Sequence, residues 1–263
     1  MTLGVLSIAC PSRPLCLAVD EGGGVLVSHD PAARVPVWHR REIDGSYVPE
    51  AIACPSQQLC EVVDGDGGLL SCASPGALPG QWERKVIDTL PHASLSALAC
   101  PTARLCVATD NTGGALTTVN PGRRSRWVRA PIADTSLLGH SCPSAQLCAA
   151  VDGNGEVSTT TDPTSGAWGT ATVDATGPLV GISCPSERLC VAIDEFALLF
   201  VTQHRTGPTG TWASRRILSS SHDLSGVSCS STGLCVAGDA RGEVLTTDNV
   251  TSPATLWPAS VCA

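Results

Sequence analysis

The chain has 263 residues and a formal net charge of −8, which argues against nucleic-acid backbones as the main partner, since those need a basic footprint. No apolar run is long enough to cross a bilayer as a helix, so no membrane span is expected. Fourteen cysteines are many for this length, and twelve fall into six identical pairs, which points to disulfides and an oxidising compartment.

Met1 to Ala9 lacks a basic n-region and reads as a first strand. The expectation is a secreted or cell-surface protein whose signal peptide is absent from this chain. The rest is one stretch copied six times, seen most cleanly as SCPSAQLCAAVDGNGEVSTTTDPTSGAWGTATVD at Ser141 to Asp174. First cysteines stand at Cys10, Cys54, Cys100, Cys142, Cys184 and Cys229. Second cysteines follow at Cys16, Cys60, Cys106, Cys148, Cys190 and Cys235. An aspartate comes four residues later in every copy: Asp20, Asp64, Asp110, Asp152, Asp194 and Asp239. Each copy closes on a tryptophan, at Trp38, Trp82, Trp127, Trp168, Trp212 and Trp257. A repeat of about 42–46 residues with only strand and turn signals inside it marks a repeat architecture.

Four short strands fit each copy. Strand A ends at the first cysteine, as in Val5 to Cys10, and a tight CPSxxL turn follows. Strand B runs to the aspartate, as in Leu189 to Asp194. A Gly/Asp/Asn turn leads to strand C, as in Glu156 to Thr161, and a Pro/Gly/Ser-rich loop leads to strand D, which starts at the tryptophan. No segment holds a 3.6-residue apolar period, so no helix competes. The sequence therefore predicts an all-β, six-bladed β-propeller with four antiparallel strands and one hairpin disulfide per blade. It would be a single domain over 1–263, with blades at approximately 4–46, 47–92, 93–136, 137–176, 177–221 and 222–263.

The expected bridges are Cys10–Cys16, Cys54–Cys60, Cys100–Cys106, Cys142–Cys148, Cys184–Cys190 and Cys229–Cys235. Metal binding is the alternative, but zinc sites use tighter spacing and four converging ligands. Cys72 and Cys262 are left over and read as unpaired.

The TTDPTSGAW segment at Thr160 to Trp168 resembles the Asp-box, or BNR-like, turn of sialidase- and sortilin-type propellers, and SHDP at Ser28 to Pro31 repeats its first half. The aspartate-to-tryptophan spacing is longer than in that turn, and other copies carry Ser74, Asn120 or His204 at the aspartate position. The CPSxxLCxAxD core is also similar to repeats in secreted bacterial proteins. Sialidases of this architecture need three clamping arginines, a tyrosine nucleophile with a glutamate, and an aspartate acid. On the B–C turns only Arg241 stands out as an arginine.

Those turns are acidic and glycine-rich: DEGGG at Asp20, DGDGG at Asp64, DNTGG at Asp110, DGNGE at Asp152 and DARGE at Asp239. They read either as fragments of calcium loops or as hairpin turns whose positive φ demands such residues, and the second reading is favoured. No cofactor is expected, with calcium as the alternative. The six aspartates are expected to bond amides of their own turns. Two copies break the pattern: His140 replaces an aliphatic residue of strand A, and Phe196 and Phe200 enter blade five. Ligand-binding candidates are Tyr47, Asp66, His140, Asn154, Phe196 and Arg241. The basic residues after the tryptophans, Arg40, Arg41, Arg84, Lys85, Arg129, Arg215 and Arg216, read as charges guarding an exposed edge strand. The expected function is a monomeric, non-enzymatic recognition or scaffold module that binds a saccharide or protein on the face of the B–C and D–A loops. The alternative is a glycoside hydrolase or lyase with carboxylates in the central channel.

Overall fold

The computed structural model describes residues 3–43, 45, 47–77, 81–203, 211–218, 223–231, 233–252 and 257–261. The fold is an all-β, six-bladed β-propeller, each blade a four-stranded antiparallel sheet of consecutive strands. The chain divides into two compact units, residues 1–130 and 131–263.

In the first unit, blade one comprises β1 (Val5–Ser12), β2 (Leu15–Asp20), β3 (Gly24–Ser28) and β4 (His39–Glu42). Blade two is β5 (Pro49–Ser56), β6 (Leu59–Asp64), β7 (Gly68–Cys72) and β8 (Glu83–Val86). Blade three is β9 (Leu95–Thr102), β10 (Leu105–Asp110), β11 (Gly114–Thr118) and β12 (Val128–Pro131). The second strand of each blade is buried on both faces, which explains its near-continuous apolar run. Successive side chains point to opposite faces, so alternate residues serve alternate interfaces. Leu17, Val19, Val25 and Val27 of blade one pack on Ile52, Cys60, Val62 and Leu70 of blade two, with Trp82 against them. Val63 and Leu69 then pack on Leu98, Cys106, Ala108 and Leu116 of blade three, joined by Trp127.

In the second unit, blade four is β13 (Leu137–Ser144), β14 (Leu147–Asp152), β15 (Glu156–Thr160) and β16 (Gly169–Thr172). Blade five is β17 (Leu179–Ser186), β18 (Leu189–Asp194), β19 (Leu198–Thr202) and β20 (Ala213–Arg216). Blade six is β21 (Leu224–Cys229), β22 (Cys235–Asp239), β23 (Glu243–Thr247) and β24 (Ala259–Val261). Its two inter-blade cores follow the same plan, with Trp212 in one and Trp257 in the other. Serines tie neighbouring first strands together: Cys184 N–H donates to Ser141 Oγ at 3.0 Å, and Cys229 N–H to Ser183 Oγ at 2.9 Å.

All six expected disulfides are formed, one per blade. The hairpin they staple is tighter than the sequence reading. Strand A does not end at the first cysteine but continues through Pro-Ser. Ala9 pairs with Leu17 and Ser12 with Leu15, so Cys10 and Pro11 together oppose Cys16 in a β-bulge. Proline suits that position because it has no N–H to leave unpaired. The remaining turn is two residues long, and the motif serine or threonine caps it. Ser56, Thr102, Ser144 and Ser186 each accept the N–H two residues on. In blade one that residue is Pro14, which has no N–H, and Ser12 Oγ is buried without a partner. Blade six lacks the proline, and there Cys229 pairs directly with Cys235 without a bulge. Strand D starts after its tryptophan rather than at it, and the strand expected to reach Thr161 ends at Thr160.

Cys72 is a free, buried thiol at the end of β7. Cys262 lies outside the described residues, as does His204. Among the described residues no helix is long and apolar enough to cross a membrane.

Candidate functional site

The six repeated aspartates share one geometry. Each sends Oδ1 into its own B–C turn and accepts the N–H groups two and four residues on, at 2.6–3.0 Å. None is more than 8 % exposed. The turn's third residue after the aspartate takes positive φ: Gly23, Gly67, Gly113, Gly155, Ala197 and Gly242. Ala197 holds φ 67° in spite of its Cβ, while its carbonyl accepts the N–H of Ile217 at the end of β20. The aspartate and the positive-φ residue together fix the turn backbone.

In the first unit a second partner closes on the other aspartate oxygen. Arg40 Nε donates to Asp20 Oδ2 at 2.5 Å, Arg84 Nε to Asp64 Oδ2 at 2.6 Å, and Arg129 Nε to Asp110 Oδ2 at 2.9 Å. The arginines come from the fourth strand and lie across the first residue of the third. That residue is Gly24, Gly68 or Gly114, and a Cβ there would collide with the guanidinium in each case. The bond from Arg40 holds the Asp20 carboxyl below its ordinary range. At Asp110 burial pushes upward, but the Arg129 bond and the turn amides outweigh it.

This corrects the edge-charge reading for Arg40, Arg84 and Arg129, and it corrects the view that Arg241 alone brings a guanidinium to these turns. Arg40 Nη2 also donates to the carbonyl of Gly22 at 3.0 Å. The other basic residues are engaged as well. Arg215 donates to the carbonyls of Val250 and Ser252, Arg216 to that of Phe196, and Lys85 to those of Gly122, Arg123 and Ser125. The sequence signal for the arginine latch was a glycine opening strand C together with an arginine in strand D, present in blades one to three only.

Blades four and five lack that partner. Thr170 and Ser214 occupy the register of Arg40 in blades four and five, and Glu156 and Leu198 replace the glycine. Asp152 Oδ2 and Asp194 Oδ2 are consequently buried with no hydrogen-bond partner, and so is Asp174 Oδ2 in the loop after β16. Burial pushes the Asp194 carboxyl up, and the charge of Asp174 adds to the rise.

Four of the candidate residues fall at one structurally equivalent point. Asp66, Asn154, Phe196 and Arg241, with Gly22 and Thr112, are the residues whose N–H groups the latch aspartates bind first. Five of these six tips are exposed and Gly22 is half-buried. Phe196 is 42 % exposed, with its ring edge over Gly177, where a Cβ would meet Cε2 at 2.7 Å. Phe200, by contrast, is buried in the core between blades four and five. Tyr47 precedes β5 and is 37 % exposed, and the Arg84 guanidinium carbon lies 3.7 Å from its ring centroid. His140 is half-buried in the middle of β13 opposite Ala150, in a strand rather than in a turn.

The six aspartates already accept two amides each and are almost wholly buried, so they offer little to a calcium ion or a glycosidic bond. The one cluster of metal-type ligands among the described residues is Glu61 with Cys100 and Cys106, and those two sulfurs are joined in a disulfide.

No family model matches the chain, and no curated protein matches it in sequence. Solved structures do match in fold. YCF48 bound to D1 peptide aligns with a TM-score of 0.77 at 13% identity, covering 98% of this chain and 81% of that one. YCF48 from Cyanidioschyzon merolae aligns with a TM-score of 0.77 at 12% identity, covering 98% and 85%. The RRP9 WD40 repeats align with a TM-score of 0.74 at 13% identity, covering 94% and 76%. At such identities the likeness establishes the propeller fold and nothing further.

Proposed function

We propose that the protein is a non-enzymatic recognition module that binds a peptide segment of a partner protein on its B–C turn tips. The observation that carries this reading is the contrast between frame and tip. Six turns have the same aspartate latch, yet their tips are Gly22, Asp66, Thr112, Asn154, Phe196 and Arg241. A constant backbone with varied exposed side chains is how a rigid scaffold presents binding chemistry. Within the second unit the successive tips offer an amide, an aromatic ring and a guanidinium, groups that suit a peptide's backbone, apolar and acidic positions. A propeller of the same fold has been solved with a peptide bound.

A saccharide is the second reading, favoured by the two half-exposed rings, Tyr47 and Phe196. The hydrolase alternative gains no support from the repeated aspartates, which are at most 8 % exposed. The proposal needs no cofactor. A monomer outside the cytosol is part of the same proposal, and the six disulfides support the location, since such bridges persist chiefly in an oxidising setting. The Asp-box kinship stays part of the proposal, supported by Asp162, whose Oδ1 accepts the Thr164 N–H at 3.0 Å and closes the C–D turn.

The test is selection of a random peptide library displayed on phage against the immobilised chain, with a glycan array run in parallel. Enriched peptides that compete with one another support the proposal. Array hits without peptide enrichment would move the assignment to a saccharide.

A further inference from the structure

Blade two departs from the other five at a buried position. The residue after the second cysteine is Leu17, Val107, Ala149, Val191 or Val236 in those blades, and Glu61 in blade two. Where the interface is described, this side chain packs towards the cysteine pair of the next blade. Leu17 shares a core with Cys54 and Cys60, Ala149 with Cys184 and Cys190, and Val191 with Cys229 and Cys235. Glu61 takes that place against Cys100–Cys106. It is 0 % exposed, and a carboxylate oxygen lies within 4.8 Å of both sulfurs.

Half of the carboxylate is satisfied. Oε1 accepts the Gly122 N–H at 2.7 Å and the Ser71 hydroxyl at 3.2 Å. Oε2 is buried with no hydrogen-bond partner. An apolar residue here would avoid that desolvation cost, as it does in the neighbouring blades. Burial pushes the Glu61 carboxyl above its ordinary range, with Gly122, Ser71 and the charge of Lys85 pulling against it. Lys85 comes from β8 and is the chain's only lysine. The other groups nearby are the two bridged sulfurs on β9 and β10, which do not titrate while bonded, the Cys72 thiol of β7, and Arg123, whose guanidinium pairs with Glu83 at 2.6 Å.

We propose that Cys100–Cys106 is a thiol–disulfide exchange site for dithiol substrates, with Glu61 as the proton donor to the leaving sulfur. Cys100 is half-buried and Cys106 fully buried, so attack comes at Cys100. A substrate thiolate forms a bond to Cys100 Sγ while the Cys100–Cys106 bond breaks. The electron pair goes to Cys106 Sγ, which takes its proton from Glu61. The second substrate thiol, as thiolate, then attacks the mixed disulfide and releases Cys100. The substrate leaves as a disulfide, oxidised by two electrons, and the cysteine pair is reduced by two. In the reverse exchange, with a substrate disulfide as the two-electron oxidant, the Glu61 carboxylate recovers the proton from Cys106. No other disulfide among the described residues has a carboxylate so placed.

The test uses the whole chain, limiting dithiothreitol, rapid alkylation and peptide mapping of all six pairs across a pH series. General acid catalysis predicts that Cys100–Cys106 opens on the order of 100-fold faster than Cys54–Cys60. Its rate per reductant thiolate falls as rising pH ionises Glu61. Glu61→Gln and Glu61→Leu remove the excess and flatten the profile. Equal rates for the two pairs in the unmodified protein would overturn the proposal whether or not the variants fold, and so would an excess that survives in Glu61→Gln.

Discussion

Arg84 grips Asp64 with two bonds, Nε to Oδ2 at 2.6 Å and Nη2 to Oδ1 at 3.1 Å, on a carboxylate that already holds the amides of Asp66 and Gly68. Asp64 is 0 % exposed, so the arginine offsets a buried charge. Replacing Arg84 with alanine is expected to cost about 3 kcal/mol in urea unfolding, because the buried Asp64 loses its counter-charge. Asp64→Asn in the same chain should recover part of that loss. Additive losses would mean that the two residues do not act as a pair.

Asp20 and Asp194 should respond to pH in opposite directions. Asp20 has a lowered folded pKa, so its stabilisation is present above the unfolded value and is lost as pH falls through the folded one. Asp194 has a raised folded pKa, so its contribution is full below the unfolded value and is lost as pH rises through the folded one. Asp194→Asn keeps an oxygen for the turn amides and removes the buried charge. It should match the unmodified protein at about pH 4 and exceed it in stability near pH 8. Asp20→Asn should be the less stable protein near neutrality, with the gap closing in acid.

Turn geometry separates backbone strain from collision. Gly242 has φ 82° with open space around it, so Gly242→Ala should cost only the left-handed penalty, about 1–2 kcal/mol. Gly155 has φ 75°, and a Cβ there would overlap the Asp174 carbonyl and lie 2.6 Å from that of Gly177. Gly155→Ala should therefore lose at least about 3 kcal/mol. Thermal unfolding of the two variants side by side checks the order.

Cys72 is expected to be silent in the folded protein. It is 1 % exposed, and burial pushes its thiol up, although the N–H groups of Ser74 and Gln81 pull it back. A thiol reagent should label it only after denaturation. It stands opposite Cys60, where the other blades place Ser28, Thr118, Thr160, Thr202 or Thr247 opposite the second cysteine. Cys72→Thr should accordingly stay within about 1 kcal/mol of the parent.

The blades were legible in the sequence because cysteine pairs, turn glycines and the closing tryptophan recur at fixed offsets, and each local signal agrees with the same four-stranded unit. The bulge was not, since CPSxxL looks like one loop until Ser12 is seen paired with Leu15. The arginine latch was hidden for a different reason. Arg40 and Asp20 are twenty residues apart, and only the register that sets Arg40 opposite Leu26 brings them together. Phe196 and Phe200 are close neighbours in the sequence, yet one is a turn tip and the other lies in the core. Glu61 is not legible in the sequence, because a glutamate in a strand reads as solvent-facing until both faces of that strand are known to be covered.

In the proposed function the exposed tips carry recognition while the latches carry only structure. The most direct measurement is calorimetric titration of a phage-selected peptide into the unmodified chain and into Asn154→Ala, Phe196→Ala and Arg241→Ala. Truncating an interface anchor commonly costs more than about 1.4 kcal/mol, so at least one variant should bind about tenfold more weakly with its melting temperature unchanged. Undiminished affinity in all three, or a loss that tracks melting temperature, would contradict it.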